Sequence, residues 1–408
     1  MIQTVFSLHG APDVDDEVAR LRTAPRRDPF DPDAVAFVAA VARALTTGTV
    51  GRAFPELAAL AHWFRRARLD EIERSFRAAR QGAAAHARGL VFIIAPANVD
   101  VLFIYGWLLS LLAGNATIVR VSEKPSEARD AFLGVVKELA SDLAFGRVLQ
   151  DSWLITYGHD DAHTRRLSEA CDARLIWGGD ATVSHIRAVP LKPVAVEAAF
   201  ADRFSLAAFS AAAVLDAGDE VVSETARRFA NDALWFSQQA CSSPRAVFWI
   251  GSESDCQAAQ ARFWPPFRAS AERFADEPAA VMTRVTDIFM LGGLGLITQV
   301  GGPLGAMPGR VAGTTLTDDV RERHNGFGLF VEYQRESLLD LLPVLSEKDQ
   351  TLICHGLPLS EIEAFAAKLP NRSIDRIVQP GQATEFDIVW DGANLFDHLS
   401  RAVSLPRL

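Results

Sequence analysis

Up to about residue 88 the chain alternates charged residues with Ala, Leu and Phe at three- and four-residue spacing. DPDAVAFVAAVARAL and LDEIERSFRAARQGAAAHARG show the pattern, which predicts amphipathic surface helices. From Gly89 it changes to short apolar runs divided by helical segments: GLVFIIAP, VDVLFIYGWLLSLLAG, NATIVRVS, SEARDAFLGVVKELASD, SWLITYG, DAHTRRLSEAC and ARLIWGG. Apolar strands alternating with helices predict βαβ units around a buried, mostly parallel sheet. Such sheets bind ligands at the carboxyl ends of their strands. Further on, RFSLAAFSAAAVL reads as a strand, ETARRFANDALWFS as a helix, RAVFWIG as a strand and SDCQAAQARFWPPFRASAERFAD as a helix. Beyond about residue 280 the pattern weakens to strand-like IFMLGGLGLITQV, FGLFVEYQ and TLICHG, a helix over SEIEAFAAKLP, and a last strand and helix in DRIVQPG and DGANLFDHLSRAV.

Composition narrows the class. The chain has 408 residues, enough for two or three domains with sizeable cores, and its 49% hydrophobic and 23% charged residues are ordinary for a globular protein. A formal net charge of −10 argues against nucleic acid as the main partner, which needs a surplus of Lys and Arg. The four cysteines, Cys171, Cys241, Cys256 and Cys354, form no CxxC pair and have no interleaved His, so neither a metal site nor a disulfide framework is expected. A reducing cytoplasm is the expected location. The start, MIQTVFSLHGAPDVDDE, lacks the features of a secretory signal. The most apolar window, 89–119, is interrupted by Asn98, Asp100, Gly106, Gly114 and Asn115, so no membrane span is expected.

Four places carry candidate chemistry. Cys241 falls in FSQQACSSPRAVFW, a small polar bend between helix and strand, where Ala240, Ser242 and Ser243 leave room for a substrate on the thiol. Cys171 and Cys256 in helical patterns, and Cys354 in an apolar strand, read as small core hydrophobes. Asn98 in PAN, at the end of an apolar strand, reads either as a donor to an oxyanion or as the cap of the helix beginning near Val101. RVSEKPSEA places Ser122 and Lys124 after the next strand, either as contacts to a ribose or phosphate or as a solvated basic turn. IWGGDATVSHI places Gly178 and Gly179 where a backbone could approach a ligand closely, and no GxGxxG follows the first strand.

In this order the pieces resemble the aldehyde dehydrogenase superfamily, and within it the acyl-CoA reductase branch typified by the LuxC fatty acid reductases. PAN, GNATIVRVSEKPSEA, RLIWGGDATVSHIR, LKPV with RFSLAAF, FSQQACSSPRAVFW, RIVQPG and VWDG carry the likeness over roughly residues 89–400. It implies an α/β, aldehyde dehydrogenase-like fold of two domains with mostly parallel sheets and an active site between them. The expected division is a helical segment over 1–88 packing on a nicotinamide cofactor-binding domain over 89–218. A catalytic domain over 219–378 bears Cys241, and the 379–408 segment returns to the cofactor domain.

The resemblance makes Cys241 the nucleophile and Asn98 the oxyanion donor, with Ser122, Lys124, Gly178 and Gly179 at the cofactor. Ser184 replaces the second glycine of the family's turn. The Glu that activates water in hydrolytic relatives, in an LELGGK-like segment, has two registers here: reading from LKPV sets Glu197 opposite it, whereas aligning on Ser205 sets Phe200 there, and the second is favoured. The disrupted segment implies reduction of an acyl thioester, delivered by CoA, a carrier protein or an acyl-transferring enzyme, to an aldehyde. The alternatives are an aldehyde dehydrogenase that forms acid and a noncatalytic acyl-carrier docking protein. Lys124, with Arg120 and Arg129 nearby, favours NADPH over NADH, with Glu123 the opposing feature. Phe103, Tyr105 and Trp107 read as core or as part of an acyl tunnel. The superfamily implies a homo-oligomer.

Overall fold

In the computed structural model, which describes residues 1–80, 82–96, 101–158, 160–370 and 372–406, the chain forms two contact units. The first comprises Met1–Ala201 and Phe386–Leu408, and the second Asp202–Glu385.

The strands of the first unit are β1 (Gln3–Phe6), β2 (Ala83–Ala87), β3 (Leu90–Ile94), β4 (Ala116–Arg120), β5 (Ser152–Thr156), β6 (Ala173–Trp177) and β7 (Val196–Phe200). Six form one sheet in the order β1-β5-β4-β3-β6-β7, parallel except where β1 runs against β5. Every residue of β3 is buried, as a strand covered on both faces requires. The helix Val101–Leu112 is apolar all round and buried except at Leu102, and Trp107 donates to Ser152 Oγ at 2.9 Å. The end of the chain returns here. Ser400–Ser404 pairs antiparallel with β2, and Asn115 Nδ2 donates to the Leu399 carbonyl at 2.8 Å. In DGANLFDHLSRAV only Leu395–Leu399 is helical, because the residues after it are drawn into this ribbon.

The second unit holds β8 (Phe204–Ser210), β9 (Pro244–Ile250), β10 (Ile297–Val300), β11 (Gly309–Gly313), β12 (Leu329–Arg335), β13 (Asp349–His355) and β14 (Arg376–Val378). Their order is β10-β11-β12-β9-β8-β13-β14, with only β10 and β11 antiparallel. The helices Asp219–Leu234 and Glu253–Ala271 cover one face through Phe229, Phe263 and Phe267. The chain passes between units at Ala201–Asp202 rather than at 216–220, because β8 bonds to β9 and β13 and so belongs to the second sheet. The expected boundary at 218/219 is instead a joint between the helices Ala211–Asp216 and Asp219–Leu234, held by Arg262, which donates to the Val214 carbonyl at 3.0 Å and pairs with Asp219 at 2.7 Å. IFMLGGLGLITQV is also divided. Its first half ends the helix Pro278–Gly293, with Ile288 and Leu291 turned to the core, and only Ile297–Val300 is strand.

Candidate active site

Between the end of the helix at Leu234 and the start of β9, the chain turns through Cys241. Ser237 and Gln238 adopt left-handed backbone, with φ of 51° and 62°, a conformation that costs a residue with a side chain about 1–2 kcal/mol. Hydrogen bonds offset that cost. The fully buried Gln238 donates from Nε2 to the carbonyls of Pro244 (2.7 Å) and Leu329 (2.9 Å) and accepts the Gly328 N–H at Oε1 (2.9 Å). Gln239 donates to the Asn325 carbonyl, and Ser243 Oγ to that of Asp232 at 2.9 Å. Ser205 Oγ donates to the carbonyl of Cys241 itself at 2.7 Å and accepts the Thr351 N–H at 3.3 Å.

Of the four cysteines, only Cys241 is half-buried rather than buried. Burial pushes the thiols of Cys171 and Cys354 up to about 12 and that of Cys256 up to about 11, which leaves them inert near neutrality.

Ionisable groups are buried around this turn. Arg245, the second residue of β9, is buried, with its guanidinium 5.7 Å from the Phe204 ring and 3.4 Å from the His324 carbonyl. His324 is also buried. Its Nε2 lies 3.1 Å from the Leu329 carbonyl, which can only accept, and its Nδ1 accepts the Gly326 N–H at 3.1 Å, so the ring is the neutral Nε2–H tautomer. Burial, aided by Arg245, pushes its pKa down to about 3. Asp232 accepts the N–H groups of Gly381 (2.6 Å) and Ala383 (3.0 Å), tying the 379–385 loop to the helix that leads to Cys241. Burial pushes its carboxyl up to about 7, against the lowering effect of those bonds.

In the first unit the strand order reverses at β3: β4 and β5 lie on one side and β6 and β7 on the other, the arrangement that opens a ligand crevice at strand carboxyl ends. The loops after β4 and β6 flank that point and carry Ser122 and Lys124, and Gly178 and Gly179. Asn98, which follows β3 in sequence, lies outside the described residues. Ser122 Oγ accepts the Lys124 N–H at 3.1 Å, and Arg129 donates to the carbonyls of Ser122 (3.0 Å) and Lys124 (3.2 Å). Arg120 donates to the Tyr157 carbonyl at 3.0 Å and lies over its ring. Both arginines therefore build the turn. A Cβ on Gly178 would press on the Thr182 side chain at 3.3 Å, whereas at Gly179 it would meet open space. The following helix, Asp180–Arg187, has no side-chain cap.

Two further candidates are settled by their contacts. Glu197 pairs with Arg174, which is 1% exposed, and with Arg187 at 3.1 Å. Phe200 ends β7, stacked on Trp177 at 4.8 Å. Phe103, Tyr105 and Trp107 are core, not tunnel: each is at most 1% exposed, and Tyr105 packs on Trp63, Phe386 and Trp390. Gln238 and Arg245 escaped the reading of the sequence, although an arginine inside the apolar run of β9 was a signal. Among the described residues, no cluster of His, Cys, Asp or Glu is placed to hold a metal, and no helix is long and apolar enough to cross a membrane.

The fold is that of the aldehyde dehydrogenases. The benzaldehyde dehydrogenase of Corynebacterium glutamicum, described as NAD-dependent, superposes with a TM-score of 0.64 at 13% identity, over 98% of this chain and 94% of that one. The aldehyde dehydrogenase KauB of Pseudomonas aeruginosa gives 0.69 at 15%, over 96% and 88%. A lactaldehyde dehydrogenase gives 0.66 at 16%, over 96% and 90%. Within that class, the family model described as acyl-CoA reductase (LuxC) matches residues 36–260, and the chain belongs to this family of aldehyde-related oxidoreductases. No match is found among curated proteins.

Proposed function

We propose that the protein reduces an acyl thioester, carried on CoA or a carrier, to an aldehyde through an acyl group held on Cys241, with NADPH as reductant. The observation that carries this reading is the state of Glu197. In one register it is the water-activating base, yet its carboxylate is engaged by Arg174 and Arg187, and the other register offers only the apolar Phe200. Neither register offers a carboxylate free of an arginine partner, which supports reduction.

The Cys241 thiolate attacks the thioester carbonyl, and the carbonyl electron pair moves onto oxygen. Collapse of that oxyanion breaks the bond to the carrier sulfur, which leaves and takes up a proton. The Cys241 N–H and, by the family resemblance, the Asn98 amide are assigned to the oxyanion, where one such donor contributes about 2.7–4 kcal/mol. A nicotinamide cofactor, when bound, supplies the hydride for the acyl carbon. As the aldehyde forms, Cys241 departs as thiolate.

The first unit has features that fit a dinucleotide. Open space above Gly179 and the uncapped helix end suit a pyrophosphate, although Asp180 is an opposing charge there. Trp177 Nε1 beside this turn is buried without a partner among the described residues. Ser122 accepts through Oγ and keeps its O–H to donate, and Lys124 is the exposed cation of its turn. Glu123, the opposing charge of this turn, lies beside Gly158, after β5. Oligomer formation and supply by a carrier protein or acyl-transferring enzyme complete the proposal.

The test is incubation with NADPH and a series of acyl thioesters, following the cofactor's near-ultraviolet absorbance and identifying the product by mass. Aldehyde from wild type and none from Cys241→Ala is expected. Undiminished turnover by Cys241→Ala, or acid as the only product from aldehyde, overturns the reading.

A further inference from the structure

We propose that Asp287 and Arg284 are positioning residues for the turn that carries Cys241. The inference rests on the reading of Cys241 as nucleophile and adds the support of its turn. Both side chains come from the helix Pro278–Gly293, three residues apart and so on one face of it, and they are 1% and 0% exposed. Each grips one end of the segment 325–327. The Asp287 carboxylate accepts the Asn325 N–H at 2.9 Å with one oxygen and the Asn325 side-chain amide at 2.7 Å with the other. Arg284 donates to the Phe327 carbonyl, and its other terminal nitrogen donates to the Gly305 carbonyl at 2.7 Å and pairs with Asp276 at 2.8 Å.

The gripped segment in turn holds the Cys241 turn. The Asn325 carbonyl accepts from the Gln239 side chain, the Phe327 N–H donates to the Ser237 carbonyl at 2.9 Å, and the Gly328 N–H donates to Gln238 Oε1 at 2.9 Å. Gly326 makes the closest approach: a Cβ there would lie 2.6 Å from Gln239 Nε2 and 2.8 Å from the Gln238 carbonyl oxygen. The approach uses left-handed backbone at Gly326, Phe327 and Gly328, with φ of 87°, 56° and 78°. Phe327 resists that conformation, so the segment keeps it only while its surroundings hold both ends. Asp287 and Arg284 do so with opposite charges, an anion for N–H donors and a cation for a carbonyl, and hydrogen bonds to charged groups are the stronger kind. A buried carboxylate that lost one of its donors would be left unsatisfied, which makes the grip stiff. Two hydrogen bonds and two peptide units thus connect the helix to the nucleophile: Asp287 to Asn325, Asn325 to Gln239, and Gln239 along the chain to Cys241.

Hydrogen exchange in the full-length protein reads the turn without turnover. In Asp287→Asn, which keeps the side-chain volume but loses one acceptor, the amides of 236–243 are expected to exchange about tenfold faster, beyond any change in β13. With NADPH and the acyl-CoA that wild type reduces fastest, kcat is expected to fall about tenfold while KM stays within about twofold, as for a misplaced nucleophile beside an intact binding site. Gln239→Ala, which cuts the last link alone, is expected to change both by about fivefold. The double variant should lose no more than Asp287→Asn, because both act through Asn325. Exchange that rises equally in 236–243 and β13, an unchanged kcat in folded Asp287→Asn, or a double variant whose losses multiply overturns the proposal. Should Asp287→Asn not fold, unchanged exchange and kcat in Gln239→Ala do so. Failure of the nucleophile reading is read separately, as turnover by Cys241→Ala.

Discussion

Replacing Gln238 by Ala removes the clamp that joins the Cys241 turn to β9 and β12. The buried amide makes three hydrogen bonds, to the carbonyls of Pro244 and Leu329 and from the Gly328 N–H, at 2.7–2.9 Å. At a net contribution of about 1 kcal/mol each, their loss destabilises the second unit by about 3 kcal/mol, and by more where the orphaned groups stay dry. The left-handed φ at this position costs glutamine and alanine alike, so it leaves the difference unchanged. Unfolding in urea, followed by tryptophan emission including buried Trp249 and Trp264, reads the effect as a fall in midpoint of about 1 M. Gln239→Ala, on the half-buried neighbour that gives one bond to Asn325, is the control and should cost less than about 1 kcal/mol. A Gln238→Ala variant within about 0.5 kcal/mol of wild type would refute the reasoning.

Three more expectations have direct readouts. Glu197→Gln strips the counter-charge from buried Arg174 and should cost about 3 kcal/mol in thermal or urea unfolding while leaving the ratio of aldehyde to acid unchanged; selective loss of acid formation at full stability would restore Glu197 as a base. Asp232 holds its proton more tightly when folded, at about 7 against an ordinary 3.8, so its contribution to stability is complete below about pH 4 and is lost as pH rises through about 7. Asp232→Asn should flatten that part of the stability curve measured by denaturant titration. Lys124→Ala should raise KM for NADPH by up to about fivefold with little change for NADH, and equal effects on both would remove the lysine from the 2′-phosphate.

The alternation of apolar runs and helical segments from Gly89 was enough to recover β3, β4, β5 and β6, because a strand covered on both faces needs an unbroken apolar stretch. β7 escaped that pattern: VEAAF carries the charged Glu197 as its second residue, and pairing with β6 makes it a strand, with arginine partners for the carboxylate. The helix Pro278–Gly293 was mistaken for strand over its last turns, since Gly292 and Gly293 interrupt a helical period that the burial of Ile288 and Leu291 reveals.

By itself, the sequence determined the class of the fold, the polar bend that carries Cys241 and the inert character of the other three cysteines, all properties of local periodicity and turn chemistry. Tertiary structure decided where β8 belongs, that Glu197 is an ion-pair partner, that Tyr105 and Trp107 are core, and that Gln238 and Arg245 are buried beside the turn that carries Cys241. These depend on which distant backbone or charge meets a side chain, and strand register and helix packing set that across tens to hundreds of residues.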